Sequence, residues 1–310
     1  MVFVFKKRLF VFFILLCSLL GLLLQQADPV AVMHEYLLFT LVGVVGAIFA
    51  NATGAGGGVV FVPLFNQFAF DPMNIVATSF AIQCFGMTAG ALSWRDQYLQ
   101  STHNVNSAAV WSALPRLLML TTPFSILGIW LNQYSGAIDY VMDAEAQLHW
   151  IFGLFSIALA IALFITLPKL RQEERAFHIT RFDAVALPMI ALLGGFVTAW
   201  LSIGVGEMVA VYLIMRNASV TMSIACAVIL TAFSVWSGIG YFISHNEVDM
   251  SAGIQGFSTI MYPVAIFAGL GAIIGGTLAK HIVLLFKTSH VKVFFGVWVL
   301  FMGLASLPIW

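Results

Sequence analysis

Long apolar runs separated by short polar connections dominate the chain. A helix needs about 20 apolar residues to cross a bilayer. The runs occupy residues 9–24, 36–50, 59–68, 75–94, 108–131, 150–167, 185–203, 208–215, 220–244, 257–279 and 291–308. The runs at 59–68 and 208–215 are too short to cross alone, so the pattern predicts two half-helices within an all-α polytopic membrane protein.

Composition agrees with this pattern. Hydrophobic residues make up 61% of the chain, charged residues 8%, and the mean hydropathy is +1.01. Such a chain would expose too much apolar surface in water, so the lipid bilayer is its expected surroundings. The net charge of zero gives no support for a nucleic-acid partner.

Glycine-rich stretches precede both short runs. They are Gly54-Ala55-Gly56-Gly57-Gly58 and Gly204-Val205-Gly206-Glu207. Each glycine costs a helix about 1 kcal/mol relative to alanine. Irregular backbone survives at membrane depth only where it is buried in protein or lines a cavity. One broken helix in each half of a membrane chain indicates the substrate site of a transporter.

The two halves also align with each other. Gly54 and Gly56 match Gly204 and Gly206 at an offset of 150. After a two-residue gap the offset is 148, and it pairs Ala77, Gly90, Pro115 and Gly128 with Ala225, Gly238, Pro263 and Gly276. We therefore expect an N-terminal span at 1–33, a first repeat at 34–168, a cytoplasmic linker at 169–184 and a second repeat at 185–310.

Basic residues in the segments 6–8, 95, 169–181 and 280–292 are typical of cytoplasmic loops, and acidic loops alternate with them. This alternation gives each half an odd number of crossings, which predicts two inverted repeats. The first run, 9–24, belongs to neither half. It is either a retained extra span, with a cytoplasmic N-terminus, or a cleaved signal peptide.

The run from Asn51 to Pro63, followed by Ala77-Thr78-Ser79, resembles the signature of the sulfite exporter TauE/SafE family, also called TSUP permeases. The resemblance implies a permease of the bacterial inner membrane that moves sulfite, sulfoacetate or related organosulfur anions, usually outward. The second half departs from the motif. At the offset of 150, Glu207 and Met208 stand where glycines are expected, and Leu213 stands where Pro63 predicts proline.

A half-helix that begins after the first glycine stretch would direct free N–H groups into the membrane interior, where an oxyanion could bind. Hydroxyl and amide side chains could add donors. The alternative is that the glycines permit tight packing and the hydroxyls bond to their own helix. The candidate substrate-binding residues are Asn51, Thr53, Gly54, Gly56, Gly57, Gly58, Thr78, Ser79, Gln83, Arg116, Ser202, Gly204 and Gly206.

Glu207 is an ionisable residue inside an apolar run. This placement costs about 2.5 to 3.5 kcal/mol on insertion scales, and residues of this kind mark ion pathways and proton relays. Glu207 is therefore a candidate for proton coupling. The alternatives are a structural ion pair with Arg116 or Arg216 and an exposed position at a wet half-helix end.

Arg116 stands about ten residues into its apolar run, or about 15 Å from the start of a helix. A guanidinium at that depth could bind sulfite or sulfonate oxygens in bidentate fashion. If the helix begins later, Arg116 would instead extend to the interface. Arg216 lies at a span end beside Asn217, as a cytoplasmic anchor would.

These features predict a secondary transporter that exports a small sulfur oxyanion or organosulfonate by alternating access, with protons as a candidate coupling ion. The alternatives are a passive anion channel and a permease of the same family for an unrelated small anion. The chain has no Walker motif, no Cys/His cluster and no nucleophile with a base inside its spans. We therefore expect no enzyme activity, metal or cofactor, and the oligomeric state stays open.

Overall fold

The computed structural model describes residues 2–68, 70–103, 105–142, 145–166, 176–245, 259–285 and 288–307. This part of the chain is helical and contains no strand. Its helices are α1 Val2–Leu24, α2 Pro29–Tyr36, α3 Phe39–Thr53, α4 Gly58–Gln67, α5 Pro72–Thr102, α6 Val105–Trp111, α7 Leu114–Tyr134, α8 Ala137–Met142, α9 Glu145–Thr166, α10 Arg181–Leu201, α11 Val205–Met215, α12 Val220–Ser244, α13 Tyr262–Leu285 and α14 Thr288–Ser306. Most of the predicted linker, from Lys169 to 175, lies outside the described residues, as does Lys287.

Five spans in the described part of the chain are long and apolar enough to cross a membrane. They are α5, the α6–α7 pair over Ser107–Tyr134, α10, α12 and α13. The predicted first span is bent, because Arg8–Leu24 and Pro29–Tyr36 meet at 112° and are long enough to cross a membrane only as a pair. These spans confirm the polytopic membrane fold.

Both glycine stretches break a helix, as predicted. α3 ends at Thr53, and Gly54 turns the chain into the left-handed region with a φ of 81°. α10 ends at Leu201, and Ser202 makes the same turn with a φ of 59°. Gly204 follows with a φ of 143°, which strongly favours glycine. Shorter helices, α4 and α11, resume after the breaks.

The helix boundaries correct the register of the repeat. α3 and α10 end 148 residues apart, and α5 and α12 begin 148 apart, as do α7 and α13. α4 and α11 begin 147 residues apart and end 148 apart. The offset of 148 therefore relates the helices on both sides of the breaks, and the alignment of the glycines at 150 was wrong. Gly54 corresponds to Ser202, Gly56 to Gly204 and Gly58 to Gly206. Glu207 then stands opposite Val59 rather than opposite a glycine.

Helix packing follows the same correspondence. α3 packs on α13 as its counterpart α10 packs on α7, and α5 packs on α13 as α12 packs on α7. α5 also contacts α12, and α9 contacts α14. Exchanging each helix with its counterpart leaves this pattern unchanged. The opposite membrane orientation of the two halves, and the four segment boundaries expected from the sequence, stay predictions.

Candidate functional site

The two breaks meet in the interior of the protein. Residues 50–63 and 201–207 are all buried. A Cβ atom placed on Gly58 would lie 2.7 Å from the carbonyl oxygen of Ser202, and one placed on Gly206 would contact that of Gly54. The absence of side chains at these positions lets the backbones of the two halves touch.

Glu207 joins the breaks. Its Oε1 accepts a hydrogen bond of 2.8 Å from the backbone N–H of Gly56, and its Oε2 accepts one of 2.9 Å from the N–H of Gly204. Gly56 and Gly204 are counterparts in the repeat, so one carboxylate binds equivalent N–H groups of both halves. The bond to Gly204 is local in sequence, because a glutamate at the third position of a helix can reach back to the backbone of the N-cap residue.

Gln83 forms a second link between the halves. Its Oε1 accepts from the N–H of Gly57 at 2.9 Å. Its Nε2 donates to the carbonyl oxygen of Ser202 at 3.0 Å and to the Ser202 hydroxyl at 2.6 Å. The Ser202 hydroxyl also donates to that of Ser79 at 2.9 Å. The structure therefore brings together nine of the predicted residues, namely Gly54, Gly56, Gly57, Gly58, Ser79, Gln83, Ser202, Gly204 and Gly206.

Two more candidates support the first break. The Thr53 hydroxyl donates to the carbonyl oxygen of Phe49 and accepts from the N–H of Ala55, so it bonds to its own helix and caps the break. The Asn51 amide donates to the carbonyl oxygens of Ala47 and Gly86. Its buried Oδ1 has no hydrogen-bond partner among the described residues. Asn51 lines a small cavity together with Gly57 and Gln83.

Thr78 and Arg116 lie outside this cluster. The Thr78 hydroxyl accepts from the N–H of Met261, just before α13, and ties α5 to that helix. Arg116 lies in the first turn of α7, about ten residues into the span Ser107–Tyr134, but its side chain is exposed rather than buried at the breaks. The structure thus separates the arginine from the breaks.

The two alternatives for Glu207 are wrong. Its side chain is 3% exposed, which excludes a wet helix end. Within the described residues its carboxylate forms no ion pair, because Arg216 pairs with Asp183 at 2.9 Å and Arg116 is exposed elsewhere. Tyr212 also donates to Asp183, at 2.6 Å, so Arg216 is part of a structural network at the far end of α10.

The structure identifies two residues near the breaks that sequence reasoning missed. Thr198, the counterpart of Ala50, accepts from the N–H of Val205 at 2.9 Å and caps α11. Thr231 is the counterpart of Gln83. Its buried hydroxyl has no hydrogen-bond partner in the described part of the chain, and a Cβ on Gly206 would lie 2.5 Å from it. The pairing of Gln83 with Thr231 at the offset of 148 was the signal that could have found Thr231, whereas Ala50 has no polar side chain that would have pointed to Thr198.

The site is closed. The cavity beside Gly57 and Gln83 measures about 10 Å³, which is room for about one water molecule. A larger apolar cavity of about 440 Å³ lies between α5, α7 and α12, and it is lined by residues such as Leu92, Leu118 and Trp236. It does not include the residues of the breaks.

Residues 38–306 match the family model described as sulfite exporter TauE/SafE. The match covers both broken helices and every candidate site residue, and it confirms the resemblance of the glycine-rich motif. It begins after α2, so α1 and α2 lie outside the matched region. Neither the curated proteins nor the solved structures gave a match.

Proposed function

From the fact that the chain belongs to the sulfite exporter TauE/SafE family, a family of membrane transporters, we propose that it is a secondary transporter of a small sulfur oxyanion or organosulfonate. It is an integral membrane protein, and we place it in a bacterial inner membrane with a cytoplasmic N-terminus. The ion pair of 2.9 Å between Arg8 and Asp96 supports this orientation, because it joins the start of α1 to the basic end of α5.

One observation carries the choice of an anion. The N–H groups of Gly56 and Gly204 converge on the two oxygens of a single buried carboxylate. Sulfite and sulfonates are also small oxyanions that accept hydrogen bonds from such donors. Backbone N–H groups can therefore bind the charge of the substrate without a cationic side chain, which suits a site that must release its ligand.

The breaks also suit alternating access. Each break belongs to one half, and hydrogen bonds of Glu207 and Gln83 hold the two breaks together in the closed site. Movement of one half against the other would separate these groups and open the space between them. Glu207 is the candidate proton carrier, since it is the ionisable side chain at the junction of the breaks.

The test is flux of radiolabelled sulfite, sulfoacetate and taurine in proteoliposomes, with and without an imposed pH gradient. Native protein is compared with Glu207→Gln and with Glu35→Gln, a matched change at an exposed acid of α2. We expect gradient-driven flux in the native and Glu35→Gln proteins and none in Glu207→Gln. Flux that is insensitive to both the gradient and Glu207→Gln would indicate a channel. Lack of flux for all three anions would refute the proposed substrate class.

A further inference from the structure

The Glu207 carboxylate occupies the position that a substrate oxyanion needs. Its two oxygens accept the N–H groups of Gly56 and Gly204, which are the donors assigned above to the substrate. The adjoining cavity of about 10 Å³ cannot hold a sulfite beside it. Carboxylate and substrate therefore exclude each other at this site.

The same carboxylate holds the halves together. The bond to Gly204 lies within α11 and its own break, whereas the bond to Gly56 reaches a residue 151 positions away. The carboxylate can leave Gly56 and stay bonded to Gly204. The carboxylate that fills the anion position must therefore lose its hydrogen bond to Gly56 before the two halves can separate.

Two buried polar groups lie next to the glycine breaks. The Oδ1 of Asn51 and the hydroxyl of Thr231 are both buried and have no hydrogen-bond partner among the residues described. Asn51 lines the cavity next to Gly57, and Thr231 lies against Gly206. A buried polar group without a partner costs free energy, and in an open site the Thr231 hydroxyl could donate to an anion.

We infer that Glu207 is a tethered anion that competes with the substrate for the N–H groups of the breaks and latches the closed site. The inference rests on the proposed function for the identity of the competing anion. Substrate binds when the carboxylate leaves Gly56, and the latch closes again when the substrate leaves. The carboxylate stays bonded to Gly204 beside the bound substrate, so the two negative charges repel each other in the open site.

Two measurements on the full-length protein in nanodiscs test this inference. Hydrogen–deuterium exchange of peptides that contain residues 54–58 measures the hydrogen bond between Gly56 and Glu207 without any substrate. Binding of radiolabelled sulfite measures the competition between the carboxylate and the substrate. The variants are Glu207→Gln, which removes the charge, and Glu207→Asp, which keeps the charge but is too short by one methylene to bridge both N–H groups. Glu35→Gln is the control, because it removes a carboxylate from an exposed position of α2.

In Glu207→Gln we expect faster exchange at residues 54–58 and an affinity for sulfite higher by about tenfold or more, since a like charge has left the site. Glu207→Asp should exchange as fast but gain less affinity, and Glu35→Gln should leave both the exchange at residues 54–58 and the affinity for sulfite unchanged. Unaltered exchange at 54–58 in both Glu207 variants would disprove the latch. Faster exchange without a gain in affinity would disprove the competition. If no sulfur anion is transported while exchange responds as expected, the proposed function fails and the latch stands.

Discussion

The contact between the two breaks predicts the effect of one methyl group at Gly58. In Gly58→Ala, the new Cβ would lie 2.6 Å from Cγ2 of Ile203 and 2.7 Å from the carbonyl oxygen of Ser202. Ordinary contact begins at 3.4 Å, so the backbone at Ser202 must move by about 0.7 Å. That oxygen also accepts the bond from Gln83, which the movement would weaken. Overpacking of this kind costs about 1–3 kcal/mol.

The expected result is a lower melting temperature and loss of anion flux, with normal membrane insertion. Gly240→Ala is the matched control, because a Cβ there would meet nothing within 4 Å and still gains the helix propensity of alanine. Thermal unfolding in detergent and proteoliposome flux measure both effects. Native stability and native flux in Gly58→Ala would refute the close contact of the breaks.

Two further predictions concern the arginines and their surroundings. Asp183→Asn weakens the buried acceptor of Arg216 and Tyr212, so the protein should lose about 1–3 kcal/mol of stability in thermal unfolding. Flux per folded molecule should be unchanged, since Asp183 lies about 28 Å along α10 from the break at Ser202. A loss of flux at native stability would contradict this expectation. Arg116→Gln should leave the affinity for sulfite unchanged, because the side chain is exposed and apart from the breaks. A tenfold loss of affinity in a binding assay would show instead that Arg116 contacts the substrate.

The broken helices were predictable because glycine disfavours helix wherever it stands. The second break shows the limit of that signal. Gly204 was visible, but the residue that ends α10 is Ser202, which takes a left-handed φ of 59° without being glycine. An alignment by glycine identity therefore paired Gly54 with Gly204 and missed the true register of 148. Thr198 is a separate case, because its counterpart Ala50 has no polar side chain that would have pointed to it.

The arginine of the predicted site shows a second limit. The apolar run around Arg116 was continuous in sequence, so its depth was counted from residue 108. In the structure α6 and α7 form one span over Ser107–Tyr134, so the count along the helix agrees with the sequence, but the side chain of Arg116 is exposed. Hydropathy measures how apolar a segment is, but it does not say which side of a helix faces the interior.

The sequence by itself determined the membrane environment, the position of both breaks and the family. These follow from properties that each residue carries wherever the chain places it, namely its preference for lipid or water and its preference for helix. Only the tertiary structure decided what binds the N–H groups of the first break. Glu207 lies 151 residues from Gly56, and their hydrogen bond exists because the two halves pack with their breaks in contact. That contact depends on the packing of both halves together, which no local pattern contains.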